Sequence, residues 1–158
     1  MNASKEFIKN YTSNDKIKIE YHSNGKSSDY WCDSNLDFRN EICKLLVEYE
    51  SLRPDELLRD IFRAEAEFCR ESWGASPNVT ILGKLLITET KEKYIEDYFL
   101  GKEESYDTQC AVSLGDAGED ILREIIQKIK VSNPQCIHGE FTMKKVVYFI
   151  EEYIDEYY

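Results

Sequence analysis

From Asp33 onward the apolar residues recur every three or four positions, which is the period of an α-helix. Phe38, Ile42, Leu45 and Tyr49 form one stripe, widened by Leu46. With a cap at Ser34 or Asn35, they predict a helix to about residue 51. Arg53-Pro54 stops that helix and opens the next. Residues 54–73 give the clearest pattern. Leu57, Ile61, Ala64 and Phe68 lie beside a second stripe of Leu58, Phe62, Ala66, Cys69 and Trp73. Two adjacent stripes predict a wide buried face, and Gly74 is placed to end the helix. Ser76-Pro77 can start a third helix. The β-branched residues Val79, Thr80, Ile81, Ile87 and Thr88 leave residues 79–88 open between helix and strand. A helical run from Glu89 stops at Gly101, and residues 101–115 read as a long connection. Asp116 is expected to cap a helix to about Lys130, which Asn133-Pro134 breaks. Thr142 is expected to cap a last helix with Val146, Ile150, Tyr153, Ile154 and Tyr157 on one side.

Ahead of Asp33 the period differs. Ile17, Ile19 and Tyr21 alternate with Lys16, Lys18, Glu20 and His22, as in a half-buried strand. Asn24-Gly25 suits the centre of a type I′ hairpin turn, and Tyr30-Trp31-Cys32 could return as the partner strand. A lone hairpin is marginal in water, so it must pack on helices. The expected architecture is mainly α, in a single domain over residues 1–158. A segment at 1–34 carries a small β-hairpin, and a body at 35–158 forms a bundle of about five helices.

Charge narrows the function. The chain carries 20 Lys and Arg against 31 Asp and Glu, a net −11. Residues 1–34 are balanced, so the whole excess falls on the helical part. Such a chain repels phosphate backbones and anionic lipid, and neither a nucleic-acid nor a membrane partner is expected. No apolar run follows the first basic residue, and no stretch approaches the ~20 apolar residues of a membrane span. Five scattered Cys (Cys32, Cys43, Cys69, Cys110 and Cys136) read as reduced thiols, so a cytoplasmic location is expected. Cys43 and Cys69 fall among apolar helical positions, as core residues do.

Chemistry is sparse. The two histidines are His22 and His138, and Cys136 with His138 has no second Cys/His pair to complete a zinc site. The zinc-protease helix, the P-loop and the Gly-x-Ser-x-Gly elbow are missing. The acidic run at 116–120 lacks the ligand spacing of a calcium loop and reads as a helix N-terminus. No catalytic residue, metal or cofactor is therefore assigned, and the chain is read as a non-enzyme.

What remains is surface. Eleven Tyr, several beside acids, form a composition suited to protein interfaces. The contacts expected to meet a basic partner are Glu103, Glu104 and Asp107 in the connection, and Glu151, Glu152, Asp155, Glu156 and Tyr157 in the last helix. A small, acidic, helical, single-domain chain without catalytic residues resembles the bacterial immunity proteins of contact-dependent inhibition and related polymorphic toxin systems. The resemblance implies a cognate basic toxin, typically a nuclease, bound 1:1 and neutralised by an acidic surface. The alternative reading is a non-catalytic helical adaptor or regulatory subunit, able to form a homo-oligomer.

Overall fold

Helix α3 (Asp55–Ser72) is the element around which the others are placed. Both of its predicted stripes are buried through Cys69 except for Phe68, which is half-buried, and its acidic first turn suits the positive end of the helix dipole. The computed structural model describes residues 3–23, 33–132, 137–138 and 141–158. In chain order the other helices are α1 (Ala3–Lys9), α2 (Leu36–Glu48), α4 (Pro77–Thr90), α5 (Ile95–Lys102), α6 (Tyr106–Ala111), α7 (Glu119–Val131) and α8 (Met143–Tyr157). Helix α3 packs on α4, α5 and α6, while α7 pairs with α8 and α8 also touches α5. One cluster of buried apolar side chains runs from Ile8 to Ile154.

The region left open between helix and strand is helical. Ser76 caps α4 by accepting the Val79 amide at 3.2 Å, and Pro77 occupies the first turn. The β-branched residues are tolerated because Val79 and Ile87 are buried, so packing overrides propensity. Close packing at this level depends on two glycines. A Cβ added to Gly101 of α5 would overlap the Phe62 ring of α3. One added to Gly83 of α4 would stand 3.2 Å from the same ring and 2.8 Å from Val112. The ring therefore lies between two backbones, and it stacks on Tyr98 with centroids 6.1 Å apart.

Several expectations are corrected. The N-terminal strand is not formed: Ser13–Lys18 is a 3-10 turn, capped from Thr12 and Asp15. The carbonyls after it are taken by side chains rather than by a partner strand. Asn35 donates to the carbonyls of Ile17 and Glu20 at 2.9 Å, and Arg39 donates to that of Ile19 at 3.3 Å. Of the alternating apolar residues, Ile19 is buried but Ile17 is 66% exposed. The expected Asn-Gly turn and returning strand lie outside the described residues. Among the described residues the extended pairing consists of a single Ser23–Asp33 bridge and a short antiparallel ladder of Ile137–His138 with Phe141–Thr142.

The described residues form eight α-helices rather than about five. Helix α1 is too short for a visible period, and α6 lies within the expected connection, begun by the Ser105 cap. The run from Glu89 breaks at Lys91, which takes a positive φ of 50° and starts a 3-10 turn. Asp116 sits in another 3-10 turn, so α7 is capped by Gly118 at φ 79°.

Polar groups also enter the core. Arg39 of α2 is fully buried. Its Nε donates to Glu65 of α3 at 2.7 Å, and its Nη2 stands 2.7 Å from Asp33 in a charge contact without hydrogen-bond angles. Ser76 donates to the other Glu65 oxygen, and the guanidinium lies 5.3 Å from the Phe68 ring centroid. Burial works against the Arg39 charge, but Glu65 and then Asp33 outweigh it and hold its pKa above the ordinary value.

Arg39→Met should destabilise the fold by about 3–5 kcal/mol in urea unfolding, because two buried carboxylates lose their counter-charge. A loss near zero would rule out this role. Alkaline pH gives a second test. Burial, then the Glu65 charge, pushes the Cys43 thiol from 9.0 up to about 12. The unfolded chain releases this proton above pH 9 while the folded chain keeps it, so stability falls between pH 9 and 12. Cys43→Ala should flatten that decline; an unchanged slope would refute the assignment.

Candidate functional site

Trp73 closes α3 in the left-handed region, with φ 55° and ψ 44°, and its amide still bonds the Cys69 carbonyl. A left-handed residue leaves the helical screw, so position 73 does not continue the stripe of Leu58, Phe62, Ala66 and Cys69. The sequence placed Trp73 in the buried face; the structure leaves it 88% exposed. This position is usually occupied by glycine, since a Cβ there costs roughly 1–2 kcal/mol. Gly74, the expected terminator, comes one residue later, and its amide bonds the same Cys69 carbonyl at 3.2 Å.

One turn before Trp73, Arg70 ties this end of α3 to the segment between α5 and α6. It contacts Glu71 at 2.9 Å and Glu67 at 3.6 Å, and its Nη1 pairs closely with Glu104. Glu104 also meets Arg63 at 3.6 Å. Two residues beyond Glu104, Tyr106 opens α6 and is 78% exposed. Trp73 and Tyr106 thus stand three and two residues along the chain from the two partners of this ion pair, with Glu67, Glu71, Glu103 and Asp107 close by in sequence. Ser105 fixes the start of α6, accepting the Thr108 amide at 3.2 Å while Thr108 accepts the Ser105 amide at 2.9 Å. A hydrogen bond to Cys110 raises the Tyr106 phenol pKa, so the ring stays neutral.

The expected contact residues divide in two. Glu103, Glu104 and Asp107 stand in this first region. Glu104 serves internal ion pairs, and Glu103 accepts from the Gln109 side chain at 2.9 Å. Glu151, Glu152, Asp155, Glu156 and Tyr157 lie on the second half of α8. Glu151 pairs with Lys130 of α7 at 2.6 Å, and Glu152 accepts from the Tyr148 hydroxyl. Asp155 and Glu156 are exposed. The nearby Glu156 charge and hydrogen bond raise the Tyr157 phenol pKa. Glu151 and Asp155 edge a groove of about 530 Å³ between α7 and α8, with Ile126 and Ile154 at its apolar base. Exposed Val131 stands at its rim. No bond joins the two regions among the described residues: the first is tied to α3 and the second to α7.

Neither region assembles a nucleophile, a base and an orienting partner. Among the described residues no group of three or more His, Cys, Asp or Glu could hold a metal ion. No described helix is long and apolar enough to cross a membrane. Comparison with protein-family models, curated proteins and solved structures finds no match to this chain.

The left-handed Trp73 yields a stability test. Trp73→Gly should leave the fold as stable as before or raise it by up to about 1 kcal/mol, since strain is relieved and an exposed side chain loses few contacts. A clear loss in thermal unfolding would show that the indole supports the fold instead.

Proposed function

We propose that this protein is a non-catalytic binding protein of the immunity type, which holds and neutralises a basic protein partner, 1:1, through an acid-edged aromatic surface. The observation that carries the reading is Trp73, an 88% exposed indole in a backbone conformation that disfavours it. Trp, Tyr and Arg dominate interface hot spots, and here Trp73, Arg70 and Tyr106 occupy one region. The acids around them match a partner rich in Lys and Arg, and the −11 net charge speeds its encounter. The α8 acids and Tyr157 offer a second edge for the same partner. A toxin nuclease fits this chemistry because its substrate already requires a basic surface.

The adaptor reading draws on a different place. A groove between α2 and α4 exposes Val47 and Ile81, with Cys43 at its base, and suits an apolar contact.

The test is binding to the product of the adjacent gene, measured at low and moderate salt. Trp73→Ala should weaken the complex by about 30-fold or more, as a hot-spot loss of about 2 kcal/mol requires. Charge reversal of Asp155 and Glu156 should slow association without a comparable change in dissociation. No basic partner, or an unchanged affinity in Trp73→Ala, would remove this reading. A homo-oligomer that persists at high salt would favour the adaptor.

A further inference from the structure

Helix α8 carries its charges in the order that its own dipole disfavours. In α3 and α7 the acids come in the first turn and the bases in the last. In α8, Lys144 and Lys145 follow directly on Met143, and Asp155 and Glu156 stand in the last turn. Cations thus sit at the positive end of the helix and anions at its negative end. Other groups hold α8 in place. Val146, Ile150 and Ile154 are buried, and Glu151 pairs with Lys130 of α7 at 2.6 Å.

The face turned away from Ile150 is where these charges lie. At 3.6 residues per turn, Lys145, Tyr148, Glu152 and Asp155 share one stripe, with Lys144 and Glu156 along its two edges. All six are exposed. Tyr148, 53% exposed, donates its hydroxyl hydrogen bond to Glu152, and the Lys145 ammonium lies 5.6 Å from the Phe149 ring centroid. The stripe reverses its sign about its middle. Five and six residues before Ile150 stand Lys145 and Lys144; five and six residues after it stand Asp155 and Glu156. A second α8 laid antiparallel on the first, about a two-fold axis at the level of Ile150, therefore sets each lysine pair against the Asp155–Glu156 pair of the other copy. It also brings each positive helix end beside a negative one. A parallel pairing would set like charge on like. A basic helix would answer the acids but would meet the two lysines.

We propose that the outer face of α8 is a self-association surface, on which a second copy of this chain docks its own α8 antiparallel to form a two-fold dimer held by charge. Such a contact is isologous and closes at two chains. The 15 residues of α8 span about 22 Å, and Tyr148 is the one large apolar group on the stripe, so the dimer is weak and reversible. The net −11 on each copy opposes the approach, so pairing depends on the local order of the charges. The inference stands on α8 and does not rest on the partner-binding reading. A basic partner that takes Asp155 and Glu156 would displace the second copy.

The experiment is sedimentation velocity on the full chain at about 0.15 M salt, which screens the distant repulsion more than the close pairs, with protein up to about 1 mM. The unaltered chain should dimerise. Lys144→Glu with Lys145→Glu, or separately Asp155→Lys with Glu156→Lys, should weaken the dimer by about 100-fold or more, because four attractive contacts become repulsive. The two variants mixed in equal amounts should pair with each other, and a chain carrying all four reversals should dimerise like the original. Salt at about 1 M should dissociate the dimer, unlike the apolar oligomer of the adaptor reading. A monomer at every concentration would overturn the proposal. So would a dimer that survives either pair of reversals or about 1 M salt, or a mixture of folded variants that stays monomeric. Should one variant fail to fold, the chain with all four reversals decides.

Discussion

A guanidinium withdrawn from water must have anions brought to it, and Arg39 imposes this demand on four stretches of chain at once. It calls Asp33 from the segment before α2, Glu65 from the middle of α3 and the Ile19 carbonyl from the N-terminal segment. Through Glu65 it reaches Ser76, which in turn caps α4. Helix packing supplies most of the apolar burial, but it does not by itself say where the chain before Asp33 should lie. The arginine does. The arginine is intolerant of loss, since each carboxylate would then become an uncompensated charge in the core.

The same demand explains what was legible beforehand. Helices α2, α3 and α8 announce themselves through period, and α3 does so most clearly because two stripes run side by side. Residues 17–21 carry the period of a strand, yet Asn35 and Arg39 take the carbonyls that a sheet would need. Side chains 14 or more residues away decide that segment, and a local pattern holds no record of them. Helices α1 and α6 span seven and six residues, about two turns or fewer, and cannot display a repeat.

The candidate site was legible as charge and not as geometry. Acids at 103–107 and along α8 stand out in the sequence, but their pairing does not. Glu104 and Glu151 are held by Arg70 and Lys130, and these ion pairs fix segments rather than wait for a partner. Trp73 departs from its pattern for a simple reason. Its spacing continues the stripe of α3, and only the left-handed turn of its own backbone carries it out of that stripe. A cleft lined by Lys16, Arg63 and Asp97 combines α3, α5 and a turn that the pattern did not anticipate, three segments more than 30 positions apart in the sequence.

The Phe62 ring between Gly83 and Gly101 carries a consequence for how this sequence can drift. The ring demands a vanishing residue at 101, and together with Val112 it demands another at 83. Neither glycine can acquire a side chain while the ring is present, although both sit inside helices that would otherwise gain from alanine. A smaller residue at 62 would release Gly101, whereas Gly83 would still meet the Val112 side chain. Kin of this chain should therefore change positions 62 and 101 in concert, and position 83 only together with 112, through intermediates less well packed than either end state.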